Sequence, residues 1–447
     1  MNGDMTRGNT SKLLISFAVP MMLGNIFQQL YNTVDSIIVG KFVGKEALAA
    51  VGVANPIMSI VIFFIVGICM GALVLMAEFF GAEEKDKLKR EISTSLIIGT
   101  VFTLVLSIVS IMLSRGILIL TQTPDNIIND ADAYLKVIFI GLIFSFLYNF
   151  YSSALRATGD SRTPVLFLII SAIINVILDI VFVAFFNWGV VGAAAATVLA
   201  QAISAVLCIL YIYFKIPILR LTKDELVVDK VLLKATINYS WVSATQQTCL
   251  YVGKLLVQGV VNSFGTNAIA AFSAVTRVDA FALAPGGSIA DAVTTYTAQN
   301  NGAGRQDRIK EGYKQGNIII AVYCLMVTAI VFFGADLIMK FFVAESEREV
   351  ILIGVDYLKT MSLFYILSSF CNVFQGLFRG VGELRVTLFA TLFQISIRVI
   401  LSYMLAPYLG VKSVCYAVIG GWIFMICYEG IEYRKYMNKI NQVSLKG

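Results

Sequence analysis

Long apolar stretches alternate with short polar connectors along the whole chain. Runs bounded by charged or turn-forming residues lie near 13–40, 47–79, 92–120, 134–156, 162–187 and 190–214, and again near 234–263, 267–299, 315–343, 350–378, 384–408 and 413–433. A hydrophobic run of about 20 residues suffices to cross the hydrocarbon core as a helix. The pattern therefore predicts twelve transmembrane helices, here called spans 1–12. Outer-membrane strands would alternate apolar and polar residues in segments of about ten. Continuous runs such as Leu166 to Phe186 and Ile318 to Phe333 are helical instead. The longest polar connector, between spans 6 and 7, holds Thr222 and Glu225 at capping-box spacing, followed by Val227, Val228, Val231 and Leu232 at helical intervals. It reads as a short amphipathic helix in a linker, 215–233, joining lobes at 1–214 and 234–447.

Composition narrows the class. Of 447 residues, 58% are hydrophobic and 14% charged, with a mean hydropathy of +0.82. Soluble domains carry about 25% charged residues, so a soluble enzyme, a disordered protein and a disulfide scaffold are all excluded. The seven cysteines sit in or beside apolar runs without a CxxC, as buried thiols do, and histidine is absent. A proton relay must then use carboxylates. No GxxxxGK[ST] loop is present to bind ATP. Gly67 and Gly71 form a GxxxG, read as intramolecular packing in a monomer.

The charge distribution sets an orientation. Even-numbered loops and the termini hold 23 of the 34 basic residues, Lys223 and Lys446 among them. The odd-numbered loops and their helix ends hold only Lys41, Lys45, Arg115, Lys136, Lys340, Arg348, Lys359 and Lys412. The positive-inside rule then places both termini in the cytoplasm of a protein of the cell membrane. It also accounts for the net charge of +6 without nucleic acid. The first twelve residues run directly into span 1, which reads as a retained helix rather than a signal peptide.

The two halves repeat. A shift of 221 residues lays Gly44-Lys-Glu-Ala-Leu-Ala-Ala on Gly265-Thr-Asn-Ala-Ile-Ala-Ala, and Phe80-Gly-Ala-Glu on Asn301-Gly-Ala-Gly. A shift of 223 lays Leu155-Arg-Ala-Thr-Gly-Asp on Phe378-Arg-Gly-Val-Gly-Glu, and Asn149 on Asn372. Six spans per half make the repeat parallel, a transporter architecture with pseudo-two-fold symmetry. The expected fold class is an all-α polytopic membrane protein of two six-helix lobes.

Charges at mid-bilayer cost about 2.5–3.5 kcal/mol on insertion scales, so each one needs a reason. Gln28, Tyr31, Asn32 and Asp35 share one face of span 1 at i, i+3, i+4 and i+7. Asn175 and Asp179 lie one turn apart on span 5, and Thr197 and Gln201 on span 6. Two carboxylates with amide and hydroxyl oxygens suit Na⁺ or a shared proton. In the second half, Gln247, Tyr251, Lys254 and Gln258 form a stripe on span 7. Arg277, Asp279 and Asp291 lie on span 8 around Pro285-Gly286-Gly287, and Arg398 lies on span 11. These either pair internally, or attract substrate: a cation through Asp279 or Asp291, an anion through Lys254 or Arg277. Glu78 and Glu429, nearer helix ends, read as snorkelling to interfacial water. The repeat does not copy the first-half carboxylates, since Asp35 falls opposite Leu256 and Asp179 opposite Ser402.

Ala18-Val-Pro-Met-Met-Leu-Gly-Asn, Tyr31-Asn-Thr-Val-Asp-Ser-Ile-Ile-Val-Gly, Gln299-Asn-Asn-Gly-Ala and the paired Arg156 and Arg379 loops resemble the multidrug and toxic compound extrusion (MATE) family over nearly the whole chain. The resemblance implies a non-enzymatic exporter of amphipathic, often cationic, small molecules in exchange for Na⁺ or H⁺, with no other cofactor. It carries Asp35, Asn149, Asn175, Asp179 and Thr197 onto the family's cation site, and Pro20 onto a helix-1 hinge. Gln28, Tyr31 and the polar set of spans 7 and 8 become a candidate substrate pathway. The alternative is a lipid-linked oligosaccharide flippase of the related superfamily, kept open by Lys254, Arg277 and Arg398.

Overall fold

A computed structural model describes residues 3–444, so Lys446 lies outside the described residues. Among these there are fourteen α-helices and no strand. They are α1 (Thr10–Phe42), α2 (Lys45–Gly81), α3 (Lys85–Leu120), α4 (Asp125–Ile140), α5 (Leu142–Ala157), α6 (Arg162–Asp179) and α7 (Gly189–Lys215). The second series is α8 (Lys230–Asn262), α9 (Thr266–Gly302), α10 (Gln306–Phe342), α11 (Arg348–Ser362), α12 (Tyr365–Gly380), α13 (Leu384–Leu409) and α14 (Lys412–Ser444). Among the described residues nine helices are long and apolar enough to cross a membrane, and the bent pairs α4–α5 (45°) and α11–α12 (50°) add two spans if each pair is one. The remaining expected span, α8, has the length at 33 residues, but Gln246, Gln247, Lys254 and Gln258 reduce its apolarity.

The repeat extends to local geometry. Gly44 and Gly265 precede α2 and α9 with φ of 115° and 88°, a region only glycine occupies freely. The bends fall at Gly141 and Phe364, related by the same 223-residue shift. At Gly141 a β-carbon would stand 2.3 Å from the Val198 side chain, so the bend closes on α7 only because the side chain is absent.

The chain forms two compact units whose limits differ from the lobe boundaries read from sequence. Unit 1 is Pro20–Gln247 with the residues before Met5; unit 2 is Met5–Val19 with Thr248 onward. Two helices are therefore divided, α1 at Val19–Pro20 and α8 at Gln247–Thr248. In unit 1, α2 packs on α3, α4 and α5, while α7 packs on α5 and α6. Gly67 and Gly71 serve as intramolecular packing sites. Their β-carbons would come within 2.4 Å of the Ala244 Cα and 2.5 Å of the Ser240 nitrogen. In unit 2, α9 packs on α12 and α10, and α13 on α14. Five cysteines are buried, Cys249 is intermediate and Cys427 exposed.

The linker corrects one expectation. Instead of a separate amphipathic helix it holds a 3₁₀ turn, Lys223–Glu225, and Val231 and Leu232 already belong to α8. The capping box is present, with the Glu225 carboxylate accepting the Thr222 N–H at 2.8 Å. Beyond it the chain is tied to α3 instead of coiling. Ser93 Oγ bonds both the N–H (2.8 Å) and the carbonyl (2.9 Å) of Val227. Thr94 Oγ1 accepts the Asp229 N–H at 3.0 Å, and Lys89 pairs with Glu225 at 2.6 Å. That lysine's hydrogen bond holds Glu225 below the usual carboxylate range. Glu91, wholly buried, takes hydrogen bonds from Ser95 (2.6 Å) and from Thr236 (3.0 and 2.9 Å), fastening the start of α8.

Candidate ion-coupling site

Unit 1 brings the first-half carboxylates together. Asp35 on α1 and Asp179 at the end of α6 lie within hydrogen-bonding reach of each other. Two carboxylates can share a hydrogen bond only around a proton; without one they need a cation between them. Each keeps a buried Oδ1 with no hydrogen-bond partner. With its amide oriented to suit both neighbours, Asn175 donates to Asp179 Oδ2 (3.3 Å) and accepts the Thr197 N–H (3.3 Å). The unpartnered atoms are carboxylate oxygens, which suit a proton or a hard monovalent cation. Among the described residues there is no group of three or more His, Cys, Asp or Glu able to hold a metal ion.

The remaining first-half residues divide. Tyr31 hydrogen-bonds Gln28 and stands in electrostatic reach of both carboxylates. Thr197 meets the cluster through its backbone, since its hydroxyl bonds back to the Ala193 carbonyl at 3.1 Å. The Asn149 amide bonds the Ser145 carbonyl of its own helix at 2.8 Å. Further along α7, Gln201 Oε1 and Ser204 Oγ are buried without partners, continuing the polar face begun by Thr197.

Two features were not read from sequence. Tyr134 on α4 is 3% exposed and lies in electrostatic reach of Asp35, Tyr31 and Asp179. Directly after Asp179 the chain runs as a π-helix, Ile180–Phe185, within the expected regular span. Such segments concentrate at functional sites because the extra residue per turn redirects side chains and loosens the hydrogen-bond ladder.

Pro20 lies inside α1, at the point where the helix passes from unit 2 to unit 1. The unit 2 part is clamped. Met5 N–H donates to Gln299 Oε1 (2.8 Å), and Arg308 donates to the carbonyls of Gly8 (3.1 Å) and Met5 (3.3 Å). Thr10 Oγ1 meets Tyr296 Oη at 3.0 Å, and Ser11 Oγ donates to Gln315 at 2.9 Å. The Gln299-Asn-Asn-Gly-Ala motif thus holds the foot of helix 1.

In the second half the sequence-selected residues separate. Gln247 ends unit 1, whereas Tyr251 and Lys254 belong to unit 2. Asp279 Oδ1 accepts the Tyr365 hydroxyl at 2.5 Å. Asp291 pairs with Arg379 at 3.8 Å. Arg277 is exposed on α9. Glu429 overturns the snorkelling expectation: it is 0% exposed and takes a 2.5 Å hydrogen bond from Gln375. Its distance along α14 from the helix end did not report the neighbours that enclose it.

The comparisons agree with this architecture. The MatE family model matches twice, over residues 20–181 and 243–404, with the same 223-residue spacing as the repeat. The chain is 29% identical over 438 residues to the probable multidrug resistance protein YpnP of Bacillus subtilis (strain 168), covering 96% of each. It is 26% identical to the probable multidrug resistance protein NorM of Thermotoga maritima, covering 93% of this chain and 89% of that one. A solved structure described as the outward-facing conformation of a multidrug resistance MATE family transporter of the MOP superfamily shares the fold. Its TM-score is 0.91 at 23% identity, over 98% of both chains. With twin matches spanning most of its helices, the chain belongs to the MatE family of membrane transporters.

Proposed function

We propose that this transporter is a secondary-active multidrug antiporter that exports amphipathic small molecules in exchange for Na⁺ or H⁺, with Asp35 and Asp179 as the coupling pair. The observation that carries the reading is the meeting of these two carboxylates, each with an orphaned buried oxygen. Asn175 fixes one of them. A buried acid without a partner is costly unless a cation or proton visits it. The names of YpnP and NorM as probable multidrug resistance proteins support the drug-export part. A cationic substrate follows from the family resemblance, and Asp279 is the unit 2 carboxylate that would meet it. No cofactor beyond the coupling ion and no nucleic acid enters the reading, which takes the protein as a monomer in the bilayer. The test is substrate flux in proteoliposomes with imposed Na⁺ or H⁺ gradients. Efflux should follow at least one gradient; equal rates with and without both would refute antiport.

The same reading places both termini and the linker in the cytoplasm of the cell membrane. Lys223→Cys should resist a membrane-impermeant maleimide added to intact cells, whereas Asp130→Cys should react. The reverse labelling pattern would invert the topology.

A further inference from the structure

Two cations and one carboxylate of unit 2 lie within electrostatic reach of one another. Lys254 on α8 and Arg398 on α13 stand close enough to repel each other. Gly253, beside Lys254, permits this approach, because a β-carbon there would lie 2.7 Å from Ile395, one turn before Arg398. The nearby carboxylate, Asp279, lies in electrostatic reach of Arg398 but already accepts the Tyr365 hydroxyl at 2.5 Å. Tyr357 is the other group close to Arg398. Two cations therefore face one carboxylate. Arg398 Nε is buried and has no hydrogen-bond partner. Lys254 is an exposed residue of α8. Arg277 is not part of this set, since two residues of helix turn it about 200° from Asp279.

A desolvated guanidinium with an unmatched donor, beside a second cation, is under-compensated until an anion arrives. Guanidinium geometry suits a carboxylate, sulfonate or phosphate, with the lysine adding a point charge. Resting on the export reading above, we propose that Lys254 and Arg398 form a subsite for an anionic group on the exported amphipath, so that amphipaths bearing an acidic group beside their cationic one are preferred over purely cationic ones. Asp279, in electrostatic reach of Arg398, balances only part of this charge.

The probe is a matched pair of dyes: rhodamine B, which bears a free carboxylate, and its ethyl ester, which does not. Binding to the full-length protein in phosphatidylcholine nanodiscs is read by fluorescence anisotropy without any ion gradient. The wild type should bind the acid roughly tenfold tighter than the ester, the scale of one partly desolvated ion pair. Lys254→Gln and Arg398→Gln should each lower affinity for the acid relative to the ester and so remove that preference, and Arg398→Lys should keep part of it. Lys254 is exposed, so Lys254→Gln carries the test if Arg398→Gln does not fold. Equal wild-type affinity for acid and ester, or a preference untouched in Lys254→Gln, would overturn the proposal. Displacement of the acid when phosphatidylglycerol replaces part of the phosphatidylcholine would also overturn it, assigning the pair to a lipid headgroup. Because no gradient is applied, failure here leaves ion coupling intact. Loss of gradient-driven flux would likewise leave the dye preference intact.

Discussion

Asp179→Asn protein should insert and fold like the wild type yet lose gradient-driven efflux, falling to the rate of protein-free liposomes. The substitution is nearly isosteric, and the new amide oxygen can still accept from Asn175, which reaches Asp179 Oδ2 at 3.3 Å. What disappears is the ability to change charge. Asp35 would then stand beside a permanently neutral partner, and the pair could no longer alternate between holding a cation or proton and releasing it. Asp35→Asn should act alike, because the two carboxyls lie within hydrogen-bonding reach of each other. A ligand shifts a conformational equilibrium only by its different affinity for the two states, so an ion that no longer binds drives nothing. Size-exclusion profiles and melting temperatures check folding. Wild-type efflux from either mutant under the same gradient would remove the pair from the mechanism.

Pro20→Ala should uncouple transport while substrate binding survives. Proline has no N–H to donate and its ring crowds the carbonyl four residues earlier, so a helix is weakest there. In α1 that weak point coincides with the change of unit at Val19–Pro20. Below it, residues 5–11 are held by Gln299, Tyr296, Arg308 and Gln315. Above it, Asp35 lies fifteen residues on, which at about 100° per residue returns to nearly the same helix face. If Asp35 holds the coupling ion, a clamped foot and a soft joint on the same helix would give that ion a lever on the side that carries Gln28 and Tyr31. Alanine restores the missing hydrogen bond and stiffens the joint. Dye binding should stay within about twofold, because RT ln 2 is a fraction of the roughly 1.4 kcal/mol that makes a tenfold change. Gradient-driven efflux should collapse. Full efflux from the mutant, with a straight helix demonstrated by spin-label distances, would defeat the hinge.

The apolar runs located most spans to within a few residues because the bilayer demands continuous hydrophobic length. They did not report which helices are neighbours. The bends at Gly141 and Phe364, the π-helix after Asp179 and the division of α1 and α8 between units are set by packing, and a span looks equally apolar with or without them. The Asp35 face was legible because its four polar residues sit at helical spacing in an otherwise apolar run. Tyr134 was not, since a tyrosine near a helix start is ordinary at a membrane interface. Glu429 was misread for the same reason. The linker's capping box is legible in the sequence, but the spacing of its valines does not show that Val227 is bonded to Ser93.

The most direct test of the central claim counts protons. Purified protein in weakly buffered detergent solution is mixed with Na⁺, and separately with a transported dye, while a pH indicator is followed. If Asp35 and Asp179 share one proton that the coupling ion or the substrate displaces, one of the two additions should release about one proton per chain, by linkage between ligand and proton binding. Asp35→Asn and Asp179→Asn should release none. Undiminished release from the double mutant would contradict the account.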